Sequence, residues 1–100
     1  MSNSIKVRAE DGTPINQLVE LLFLEHSQLV ESAEKFEIST GASSLTSSGE
    51  PRQLSFTVKF PKSNSQTIDN ITTLQAVVRD FEDTEGIKII IEEVPHDEDE

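Results

Sequence analysis

Leu54-Ser55-Phe56-Thr57-Val58-Lys59-Phe60 alternates apolar and polar residues without exception. A period of two places Leu54, Phe56, Val58 and Phe60 on one face of a β-strand, and Ser55, Thr57 and Lys59 on the other. Such a strand covers a core with one face and meets water with the other, which is the habit of an antiparallel sheet. Pro61-Lys62-Ser63-Asn64-Ser65 closes the strand.

Working downstream, Ile68, Ile71, Leu74, Val77, Val78 and Phe81 recur at helical spacing, with Thr67 or Asp69 as N-cap. Gly86 suits the left-handed turn after a helix end, and Ile87 to Val94 reads as a last strand that Pro95 stops. Upstream, Gly41 to Pro51 is rich in Ser and Gly and has little to bury, so a long mobile loop is expected there. Before it, Phe36 and Ile38 alternate with Lys35 and Glu37 in a strand from about Ser32 to Thr40. Ile15, Leu18, Val19, Leu22 and Phe23, widened by Leu21 and Leu24, predict a strongly apolar helix from Pro14 to Gln28, capped by Thr13. At the start, Ile5, Val7 and Ala9 alternate with Lys6 and Arg8 in a strand ending at Asp11-Gly12.

The element order is βαββαβ, so an α+β, ferredoxin-like sandwich is expected. Its four-stranded antiparallel sheet would run in the order 4-1-3-2, with two helices on one face. Residues 1–95 form one domain in this reading, and the acidic run His96-Asp97-Glu98-Asp99-Glu100 a disordered tail. One hundred residues enclose a single core but leave little for an elaborate catalytic cavity. Nineteen acidic against eight basic residues give a formal net charge of −11, which opposes nucleic acid and anionic lipid at long range. There is no cysteine, hence no disulfide framework and no thiolate site. No run reaches the roughly 20 apolar residues of a membrane-spanning helix. The opening Met1-Ser2-Asn3-Ser4 lacks a signal-peptide layout, and a cytoplasmic location is expected.

Catalytic chemistry finds few candidates. His26 and His96 have no triad partners in a recognisable pattern, and no phosphate loop, dinucleotide glycine pattern or zinc spacing occurs. The expectation is no enzyme, no cofactor and no metal site. The carboxylates Asp97 to Glu100 would attract divalent cations only weakly, because they lack the turn that shapes a calcium loop. RNA binding on an open sheet needs exposed aromatics, whereas the outward parity here offers Ser55, Thr57 and Lys59. The same parity rule sends Lys6, Arg8, Lys35, Lys59 and Lys88, five of the eight basic residues, to the face away from the helices. Cross-strand pairing with Glu37 and Glu92 would keep that face soluble. The functional reading is a surface for an acidic partner, another copy of the chain or its own tail.

Several stretches carry a family resemblance. They are Ile5-Lys6-Val7-Arg8-Ala9-Glu10-Asp11 with the helix after it, Leu54 to Phe60 with Pro61, and Leu74 through Phe81 to Glu85-Gly86-Ile87. Together they resemble ACT-like regulatory domains, in particular the soluble C-terminal domain of the MgtC/SapB family of bacterial membrane proteins. The resemblance implies dimerisation and a ligand site at the first strand-to-helix turn, which corresponds here to Asp11, Gly12 and Thr13. That turn, Asp11-Gly12-Thr13-Pro14, departs from the Asp-x-Pro-Gly order of the family. The expectation is a noncatalytic ACT-like module acting as a homodimer or on a protein partner, in the setting of a transport-related membrane protein. The alternative is an amino-acid or ion sensor at Asp11 to Thr13.

Overall fold

The computed structural model describes residues 3–46, 49–61 and 65–94. Its elements are β1 (Ser4–Ala9), α1 (Asn16–Glu25), α2 (Ser27–Ser32), β2 (Lys35–Leu45), β3 (Pro51–Lys59), α3 (Ser65–Glu85) and β4 (Ile89–Val94). The sheet order is β2-β3-β1-β4, which read from the other edge is 4-1-3-2, and every neighbouring pair is antiparallel. This α+β arrangement of one four-stranded sheet and three helices is compatible with a ferredoxin-like fold.

Register explains the core. Ile5 lies opposite Val58 and Val7 opposite Phe56, so the apolar parity of β1 and that of β3 fall on one face. Ala9 opposite Ile89 extends the same face into β4. Leu18 and Leu22 of α1, Leu29 of α2, and Leu74, Val78 and Phe81 of α3 complete a single buried cluster with these strand residues. Phe56 is wholly buried and stacks on Phe36 with ring centroids 5.1 Å apart, and Phe36 meets Phe23 at 5.4 Å. Leu54 shares the parity of Phe56 but is only half-buried. The register shifts there, Ser39 facing Ser55 and Thr40 facing Gln53, and the bulge leaves Leu54 unopposed.

The first helical segment departs from expectation at both ends. Thr13 does not cap it, because the Asp11 carboxylate takes both the Thr13 N–H at 3.0 Å and the Thr13 hydroxyl at 2.6 Å. The Ile15 N–H donates to the Gln53 carbonyl at 2.7 Å, so the chain is tied to β3 before Asn16 starts the helix. Asn16 strengthens that tie, its side chain donating to Pro51 and accepting from the Gln53 N–H. At the far end His26, with φ −132° and ψ 42°, interrupts the helix, and α2 then carries the chain to Ser32. Helix persists beyond Gln28 because Leu29 and Val30 still have core to cover. Phe23 and Leu24, counted in the apolar stripe, lie largely outside it.

The loop expected over 41–51 is mostly strand. β2 starts at Lys35 rather than Ser32 and runs on to Leu45, which pairs with Pro51. Thr46 N–H donates to the Glu50 carbonyl at 2.7 Å, and Gly49, with φ +87°, turns the chain. Residues 47 and 48 lie outside the described set. Leu45 is 60% exposed and is held by its pairing with Pro51, a contact that leaves no apolar period in the sequence.

α3 begins at Ser65, ahead of both expected caps. Thr67 is buried in its first turn and donates its hydroxyl to the Pro61 carbonyl at 3.2 Å, while Ile68 is 47% exposed rather than in the stripe. At the other end Gly86 adopts φ +69°, as a left-handed helix stop requires. β4 starts two residues later than expected, at Ile89. The Glu82 carboxylate accepts the Ile89 N–H at 2.7 Å and Arg79 donates to the Ile89 carbonyl at 3.0 Å, clamping α3 to the strand. The Ile89 N–H, helped by the nearby Arg79 charge, holds the Glu82 carboxyl below its ordinary range.

Phe56→Ala should lower stability by about 3–5 kcal/mol, whereas Thr57→Ala on the opposite face should cost well under that. Chemical denaturation of the two variants checks the parity; equal, small losses would reverse it.

Candidate functional site

The face of the sheet away from the core is built by the second parity of each strand. Register sets its rows. Ser4 of β1 lies opposite Lys59 of β3, Lys6 opposite Thr57 and Arg8 opposite Ser55. Each row of the two central strands therefore joins one cation to one hydroxyl. Outside them, Lys35, Glu37 and Ser39 of β2 flank β3, and Ile90, Glu92 and Val94 of β4 flank β1. A shallow depression of about 520 Å³ on this face is lined by Lys6, Glu37, Ile38, Ser39, Ser55 and Thr57.

Three of the five basic residues have carboxylate partners. Lys59 reaches Glu34 at 3.3 Å, Lys35 reaches Glu37 at 3.5 Å, and Arg8 stands 4.0 Å from Glu92. Arg8–Glu92 is a cross-strand pair as expected, whereas Glu37 pairs with Lys35 of its own strand, and Glu34, just before β2, is a partner the sequence did not offer. Exposed pairs of this kind contribute about 0.2–1 kcal/mol and weaken with salt. Lys6, at the centre of the face, makes no ion pair among the described residues. Lys88 sits at the margin, its carbonyl accepting from the Glu10 N–H before β4 begins.

The Asp11, Gly12 and Thr13 turn is a separate place. Gly12 has φ +82°, and Asp11 accepts both Thr13 donors, which together hold its carboxyl below the ordinary range, the hydroxyl contributing most. The amides of α1 start beyond Ile15, so the turn and the helix N-terminus are not one structure. His26 lies at the α1–α2 break beside Asn70 and Thr73 of α3. Among the described residues no group of three or more His, Asp or Glu side chains is gathered as a metal site would need. The acidic run Asp97 to Glu100 and His96 lie outside the described residues. Among those described, no helix is long and apolar enough to cross a membrane.

Apolar exposure marks a third place. Leu24 is 74% and Phe23 45% exposed, and both border a groove between α1 and the β2–β3 hairpin with Asn16, Glu20, Thr46 and Glu50. The width of the apolar stripe around Leu21 to Leu24 was the sequence signal for it.

No family model matches the chain, and no curated protein matches it. Among solved structures, an EthD-like protein from Ralstonia eutropha JMP134 is similar over 98% of this chain and 97% of that one, with 14% identity and a TM-score of 0.43. A likeness this slight carries no functional argument.

Proposed function

We propose that the chain is a noncatalytic, ACT-like interaction module that docks an acidic protein segment on its open sheet face. The observation that supports this reading is the middle row on β1 and β3, where half-buried Thr57 stands beside Lys6, which makes no ion pair among the described residues, with Lys59 and Arg8 in the rows on either side. A cation and a hydroxyl side by side offer a carboxylate charge and a directed donor together. Successive rows are spaced by two residues, about 6.6–6.8 Å along a strand. An extended acidic peptide repeats its same-side carboxylates at that distance. The chain's net charge of −11 would otherwise repel such a partner, so the basic face is where it can approach. A regulatory role beside a membrane transport protein belongs to the same proposal and rests on the sequence resemblance alone. A ligand sensor at Asp11 to Thr13 is the weaker reading, since Asp11 already occupies both Thr13 donors.

A short oligoglutamate peptide should shift the amide signals of Lys6, Arg8, Thr57 and Lys59, with binding that fades as salt rises. The double change Lys6→Glu with Arg8→Glu should weaken it roughly tenfold or more, two exposed pairs having been reversed. Unchanged binding in a folded double variant would remove the open face as the docking surface.

Self-association is the second reading, favoured by the exposure of Leu24 and Phe23 on α1. A self-complementary apolar patch is the ordinary basis of a two-fold dimer. Sedimentation at micromolar concentration should show a dimer that Leu24→Glu dissociates. A monomer in both cases would leave partner docking alone.

A further inference from the structure

β4 is an edge strand, and its outer rim is not uniform. The Glu10 N–H donates to the Lys88 carbonyl, and the register continues with Arg8 opposite Ile90 and Lys6 opposite Glu92. Alternate residues of an antiparallel ladder point their N–H and C=O at the neighbouring strand. Ile90 and Glu92 therefore bond to β1, while Ile89, Ile91 and Glu93 turn theirs outward. The outward groups of Ile89 are already taken by Glu82 and Arg79 at 2.7 and 3.0 Å. α3 thus imitates a strand partner for one residue and then leaves the edge. Beyond that point a depression of about 440 Å³ lies between β4 and α3, lined by Gln75, Ala76, Arg79, Ile91 and Glu93. Ala76 is exposed and small, so the helical wall has a gap where an incoming side chain fits.

We propose that this groove receives an extended basic segment of another protein as an added fifth strand beside β4. Backbone groups of Ile91 and Glu93 supply the hydrogen bonds, and the space over Ala76 takes an alternate side chain, as strand addition requires. Charge selects the occupant. Glu92 borders the available edge on the open face and Glu93 on the helix side, and Glu93 makes no ion pair among the described residues. Lysine or arginine on the added strand would face both carboxylates. A second β4 fits poorly: clear of the capped Ile89, a two-fold pairing sets Glu92 against Glu92 or Glu93 against Glu93, which like charges disfavour. The other edge, β2, is broken by the register shifts after Ser39 and so is a poorer template. This rim adjoins the open face through Glu92, which stands 4.0 Å from Arg8, while Glu93 faces the helix side.

The probe is a short peptide alternating lysine and valine, titrated into the full isotope-labelled chain. Saturable shifts are expected at the amides of Ile91, Glu93, Gln75 and Ala76, with Lys59 and Thr57 unmoved. A peptide alternating glutamate and valine should bind roughly tenfold or more weakly: with valine over Ala76 its charged side chains all lie on the open face, and attraction to Glu92 becomes repulsion. Glu93→Pro should abolish binding; its lost N–H faces outward, so the β1–β4 ladder keeps its bonds. Should that variant fail to fold, Ala76→Arg fills the gap from an exposed helix position and should abolish binding equally. No binding, shifts confined to other surfaces, equal binding of the glutamate peptide, or normal binding by a folded variant would each overturn the proposal.

Discussion

The pairing of the two central strands is the constraint on which the rest depends. Ile5 opposite Val58 and Val7 opposite Phe56 place every large apolar residue of β1 and β3 on one face. Because side chains alternate, the same register aligns Ser4 with Lys59, Lys6 with Thr57 and Arg8 with Ser55 on the other. A slip of one residue would bury the cations and expose Phe56. The core and the basic face are therefore two results of one alignment, and the cost of burying lysine unpaired guards it.

The outer strands inherit this alignment and add different chemistry. β2 continues past the sheet as a ribbon whose bulges interrupt its edge. β4 is short, is clamped to α3 through Ile89, and carries Glu92 and Glu93 just beyond the clamp. One side of the molecule thus presents cations around Thr57, and one rim presents carboxylates beside outward-facing backbone of β4. The association proposed above uses these two surfaces.

Much of this was legible where burial imposes a period. The alternation in Leu54 to Phe60 located β3, and Leu74, Val77, Val78 and Phe81 located α3, because both sets face the core. Lys6, Arg8, Lys35 and Lys59 followed from the same parity. What escaped was fixed by hydrogen bonds that leave no apolar pattern. Asp11 captured Thr13, and Asn16 tied the helix start to Pro51 and Gln53, thirty-five and thirty-seven residues away. The ribbon to Leu45 is held by backbone pairing. Likewise the clamp between Glu82, Arg79 and Ile89 depends on how α3 lies against β4, which spacing alone does not express.

Amide hydrogen exchange along β4 tests the central claim most directly, since one strand reports both the register with β1 and the state of the edge. Slow exchange is expected at Ile90 and Glu92, which bond to β1, and at Ile89, which bonds to Glu82. Ile91 and Glu93 should exchange fast in the unliganded chain. Protection at Ile91 and Glu93 with rapid exchange at Ile90 and Glu92 would place the ladder one residue out of register and rule out both the basic face and the open edge as described.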